Sequence, residues 1–99
     1  MSSAIQRLQA WYVSQCVDRW EHAYGVSIST IDNPGWRVEI DLTGTPLQNK
    51  AFETYEDNYE DEANWLRCWI DEGKFIAACG PLRLEDALEC FLVWADAAN

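Results

Sequence analysis

The chain is short of positive charge. Seven Lys and Arg residues stand against seventeen Asp and Glu, a formal net charge of −10. Phosphate binding needs a basic footprint, so neither nucleic acid nor an anionic membrane is an expected partner. Histidine is scarce as well. His22 is the only one, and the four cysteines (Cys16, Cys68, Cys79 and Cys90) include no C-x-x-C pair. That spacing does not suit zinc. The phosphate-cradling patterns G-x-x-x-x-G-K and G-x-G-x-x-G are missing, and no acidic run has the central glycine and closing glutamate of a calcium loop. The reading therefore calls for no metal and no cofactor. No serine or cysteine sits in a recognisable nucleophile elbow. No apolar run is long enough to span a bilayer. The opening MSSAIQRLQAWY has no charged-then-apolar export pattern, which predicts a cytoplasmic chain with its cysteines as buried free thiols.

What remains is a folding sequence. Its 99 residues suit one domain (1–99), and 48% are hydrophobic, six of them tryptophan, too rich for a disordered acidic tail. Residues 3–18 read as a helix. Ser3 and Gln6 form a capping box, Ile5, Leu8, Tyr12 and Cys16 form an apolar stripe with Trp11 beside it, and Gln6, Arg7, Gln9 and Ser14 take the other side. VSISTI at 26–31 reads as a strand. In DNPGW, Pro34 and Gly35 predict a type II turn, with a bulge as one way to set the register. Trp36, Val38, Ile40 and Leu42 then alternate with Arg37, Glu39 and Asp41, as in an antiparallel strand with one open face. A weaker strand is expected within 47–56 around Phe52. NWLRCWID and KFIAAC predict a hairpin across Glu72 and Gly73 that pairs Asp71 with Lys74 and Cys68 with Ala77. Leu84–Ala97 reads as a closing helix. The predicted fold is α+β: an antiparallel four- or five-stranded sheet with N- and C-terminal helices packed on one face.

The open face would carry Trp65, Arg67 and Trp69 beside Arg37, Glu39 and Asp41. Tryptophan and arginine are the residue types that anchor interfaces. That face could meet another protein or a second copy of this chain in a homodimer. The stretch FETYEDNYEDE at 52–62 adds Tyr55, Glu56, Asp57, Tyr59, Glu60 and Asp61. Such a run repels itself, so it serves either solubility or recognition of a basic protein, whose opposite field would speed encounter. Catalysis has one candidate set: Glu21 and His22, with Asp32 and Asp41 further on, as general acid and base. A general acidic inhibitor that mimics DNA is a third reading.

W-E-H-x-Y-G at 20–25, D-N-P-G-W at 32–36 and I-D-L-T-G-T at 40–45 together carry a family resemblance. The likeness continues through NWLRCW to LEDALECFLVWA. The chain resembles the immunity protein 53 family of bacterial polymorphic toxin systems. The matching positions are Trp11, Tyr12, Cys16, Trp20, Glu21, His22, Tyr24, Gly25, Asp32, Asn33, Pro34, Gly35, Trp36, Asp41, Leu42 and Thr45. The resemblance implies a small α+β antidote that binds a cognate toxin and performs no catalysis. It names no toxin and does not account for the acidic run. Turn geometry explains Gly25, Pro34 and Gly35, and the core face explains Trp36 and Leu42. Glu21, His22, Asp32 and Asp41 have no evident structural duty, which makes them contact candidates.

Overall fold

The computed structural model describes residues 3–16, 20–58 and 60–97, without the side chain of Glu21. Helix α1 spans Ala4–Gln15. Its capping box forms as expected: the Gln6 amide donates to Ser3 Oγ and the Ser3 amide to Gln6 Oε1, both at 3.1 Å. Residues 17 and 18 of the predicted helix lie outside the described residues. The buried stripe differs from the expected one. Ala4 and Leu8 are buried with Trp11 beside them, whereas Ile5 is 47% and Tyr12 37% exposed. Packing of Ala4 and Leu8 into the core shared with α3 sets this face. Arg7, placed on the solvent side by the pattern, meets Glu89 at 2.7 Å.

A short α2 (Trp20–Ala23) leads into β1 (Val26–Ile31) and β2 (Gly35–Asp41). Their pairing runs without a bulge from Val26↔Ile40 to Ile31↔Gly35. No type II turn forms. Residues 32–34 make the connection, the Asn33–Pro34 bond is cis, and Gly35 is the first residue of β2 without a positive φ. The glycine answers a packing need instead, because a Cβ there would collide with the carbonyl oxygen of Cys79.

The third strand begins later than expected. Phe52 stays outside it and packs edge-on against Phe75 and Trp94, with ring centroids 5.4 and 5.3 Å away. Strand β3 is Tyr55–Asp57, inside the acidic run. The segment before it is organised by Thr45, whose buried hydroxyl donates to the Leu42 carbonyl at 2.7 Å and accepts from the Leu47 amide. Strands β4 (Leu66–Asp71) and β5 (Lys74–Cys79) form the expected hairpin in the expected register. Positive φ at both Glu72 and Gly73 suits its two-residue turn.

All five strands are antiparallel, in the order β1-β2-β5-β4-β3. One face is closed by α3 (Leu84–Asp96), with α1 packed on α3. The core joins Val38, Ile40, Leu66, Cys68, Phe75, Ala77 and Cys79 of the sheet to Leu88, Phe91 and Leu92 of α3. Lys50 donates to the carbonyls of Trp94 (2.6 Å) and Ala97 (2.8 Å), where the helix dipole favours a cation. All four cysteines are free thiols, Cys68 and Cys79 buried, Cys16 and Cys90 half-buried. Among the described residues no helix is long and apolar enough to cross a membrane.

Candidate partner-binding surface

Two glycines gather distant segments at one end of the sheet. Gly35 lets the β1–β2 turn lie against the end of β5. Gly80 follows β5, and a Cβ on it would collide with the carbonyl of Ala63. Its amide donates to the Trp65 carbonyl at 2.9 Å. The loop between β3 and β4 is thus drawn down beside the 32–34 turn. A cleft of about 440 Å³ opens between them, lined by Asn33, Glu60, Asp61, Glu62 and Trp65.

The carboxylates of the acidic run divide by role. Asp61 Oδ1 accepts from the amides of Ala63 (2.9 Å) and Asn64 (3.1 Å). These two bonds hold its carboxyl below the usual range. Asp57 meets Arg83 at 2.9 Å, and Glu56 meets Arg67 at 3.3 Å. Glu53, Glu60 and Glu62, and Asp32 on the facing turn, are exposed and have no ion-pair partner among the described residues.

The cations among the described residues are engaged inside the molecule. Arg7 meets Glu89, Arg37 meets Glu39 at 2.8 Å, and Lys74 approaches Glu39 at 3.8 Å. Lys50 caps α3, while Arg67 and Arg83 bind the acidic run. Arg37 holds the Glu39 carboxyl below the usual range, against the opposing effect of burial. The unmatched charge at this surface is therefore negative.

Of the residues expected on the open sheet face, Trp65 is not in the sheet: it precedes β4 and lines the cleft. Arg37, Glu39, Ile76, Arg67 and Trp69 share the face by register. Trp69 is half-buried between two guanidinium groups, 4.9 Å from Arg67 and 5.9 Å from Arg37. Ile76, in register with Trp69, is only 5% exposed. This face is a paired mosaic of both charge signs.

The remaining candidates scatter. Tyr55 is exposed on the helix side of β3, in register with Cys68. Tyr59 and the side chain of Glu21 lie outside the described residues. Asp41 has a structural duty that the sequence hid: its Oδ2 accepts from the Gly25 amide at 3.0 Å. Asp32 sits at the opposite end of the β1–β2 hairpin, roughly 20 Å away at ~3.3 Å per residue. Asp32 and Asp41 therefore cannot share one catalytic site. His22 is exposed on α2, beside the cluster in which Trp20 packs against Trp11 (5.8 Å) and Tyr12 (5.9 Å).

Sequence reasoning missed Asn33, Glu62 and Arg83. Glu62 lay in the acidic run and Asn33 in the D-N-P-G-W match, but Arg83 gave no local signal, since it acts through segments remote in sequence.

No curated protein and no solved structure matches the chain. The family model described as immunity protein 53 matches residues 5–96, nearly its whole length. The chain belongs to the immunity protein 53 family.

Proposed function

We propose that this immunity protein neutralises a cognate toxin domain of basic surface charge, a nuclease of a polymorphic toxin system. It would do so by seating the acidic cleft around Trp65 over the groove that the toxin uses for its polyanionic substrate. The observation that carries this reading is the division of charge. The described cations are held in internal contacts, while Asp32, Glu53, Glu60 and Glu62 face solvent without an ion-pair partner among the described residues. Trp65 would supply the buried anchor, and the carboxylates around it the steering field and the register. Blocking of this kind needs no catalytic group.

The test is co-expression with the toxin encoded beside this gene. Asp32→Lys, Glu60→Lys and Glu62→Lys combined should abolish protection. They should also slow association at least tenfold and flatten its salt dependence. These positions leave the fold's own contacts intact, whereas reversal of Asp57 would break an ion pair and reversal of Asp61 would lose the acceptor of two backbone amides. Full protection by the triple variant would reject the acidic-cleft mechanism while leaving the immunity role standing.

A further inference from the structure

β1 forms one edge of the sheet. The opposite edge, β3, is three residues long and carries two carboxylates, which blunts it against pairing. β1 has no such protection. VSISTI contains no charge and no proline, and among the described residues nothing pairs with its outer edge. The Asp41 amide donates to the Gly25 carbonyl at 3.1 Å, which fixes the phase of the ladder. In an antiparallel pair, hydrogen-bonded positions alternate. Ser27, Ser29 and Ile31 therefore bond β2, and Val26, Ile28 and Thr30 turn their N–H and C=O groups outward. The side chains of these three lie on the core side, opposite Ile40, Val38 and Trp36. Yet Ile28 is 38% exposed where its partner Val38 is fully buried. An apolar groove runs beside them between β1 and α1, lined by Leu8, Tyr12, Tyr24 and Val26.

We propose that this edge is a self-association interface, in which β1 of two copies pairs antiparallel about a two-fold axis at Ile28. The symmetry fits. Ile28 faces Ile28 of the second copy, and Val26 faces Thr30. All outward donors and acceptors of the three positions are satisfied, and both core faces lie on the same side of the joined sheet. The net charge of −10 does not oppose this pairing. The pairing segment is neutral, and Asp32 of each copy would lie roughly 27 Å from the other at ~3.4 Å per residue, beyond several Debye lengths. The β3 edge, four strand spacings from β1, stays at the outer margin. The cleft at Trp65 remains open, so this inference does not depend on how a toxin binds.

The test is sedimentation equilibrium of the full chain at tens of micromolar, with amide exchange. The mass should be twice the 11.4 kDa of one chain. The amides of Val26, Ile28 and Thr30 should exchange at least about 100-fold more slowly than solvent-facing ones. Thr30→Pro removes one outward N–H and spares the bonds to β2. Ile28→Lys puts like charges on the axis from a position already open to water. Each should return the mass to one chain with an unchanged far-UV spectrum. A wild type that stays monomeric with fast-exchanging amides overturns the proposal, as does a doubled mass in Ile28→Lys. So does protection that appears only when toxin is added, which would make the toxin's own strand the occupant.

Discussion

Arg83 and Asp57 form a 2.9 Å ion pair across 26 residues of sequence. The same guanidinium donates to the Asn64 carbonyl at 2.6 Å and to Asp86 at 2.7 Å. One planar fork thus ties the start of the acidic loop, its end and the first turn of α3 together. Its side chain is only 15% exposed, and Asp57 raises its already high pKa. Replacement by alanine would strand the Asn64 carbonyl and the Asp57 charge. Arg83→Ala should cost about 1.5–3 kcal/mol, read as a lower urea midpoint. Arg83→Lys should recover little, since an ammonium cannot serve three acceptors in a fork. An unchanged midpoint in both variants would show that the loop is held by other contacts.

The parts of the fold visible in the sequence were those set by near neighbours. The capping box needs only Ser3 and Gln6. The β4–β5 register follows from a two-residue turn and period-two alternation, so every pair from Asp71↔Lys74 to Cys68↔Ala77 could be written in advance. What failed was decided at a distance. The stripe of α1 was set by packing against α3, at the far end of the chain. Phe52 was drawn from its strand by Phe75 and Trp94. Gly35 read as a turn residue because the strand that crowds it comes much later in the chain. The candidate site was half visible. Its charge was plain in FETYEDNYEDE, but which carboxylates were committed to the fold depended on Arg67, Arg83 and the loop backbone.

Glycine substitutions separate close approach from open space. A methyl group at Gly35 or Gly80 would meet backbone, at Cys79 and Ala63 respectively, and no rotamer change relieves that. Gly25 has nothing within 4 Å of the same position. Gly80→Ala should push the acidic loop off the end of β5, destabilise the fold by about 2 kcal/mol or more and weaken toxin protection. Gly25→Ala should change the melting temperature little. The comparison is made by thermal unfolding, and equal effects at the two sites would contradict the close packing described.

The thiols should fall into two reactivity classes. Cys68 is fully buried, and the neighbouring Cys90 thiol together with burial pushes its pKa above the ordinary thiol range. Burial also raises Cys79. Cys90 is half-buried, and the neighbouring Cys68 thiol lowers its pKa against the opposing effect of burial. The thiolate is the reactive form. Native protein treated with a maleimide at pH 7 should therefore label at Cys90 and the half-buried Cys16, and at Cys68 and Cys79 only after unfolding. Peptide mapping reads the sites, and early labelling of Cys68 would mean that the contact between β4 and α3 opens readily.

Acid should loosen the loop before it unfolds the core. The Asp61 carboxyl is held below its ordinary range by the amides of Ala63 and Asn64, and Glu39 by Arg37. A carboxylate whose native pKa lies below its unfolded value stabilises the fold at every pH above the unfolded value, about 4. That contribution is lost as the pH falls through the lower, native pKa, where the folded state takes up its proton too. Stability should therefore hold from about pH 5 to 8 and decline below about pH 4. Asp61→Asn keeps an acceptor for the two amides but has no proton to gain, so its decline should be shallower and the two curves should converge near pH 2. Thermal melts across this range check the point. A wild type and an Asp61→Asn variant that fall in parallel would place the acid sensitivity elsewhere, with the Glu39–Arg37 pair on the open face the first site to test.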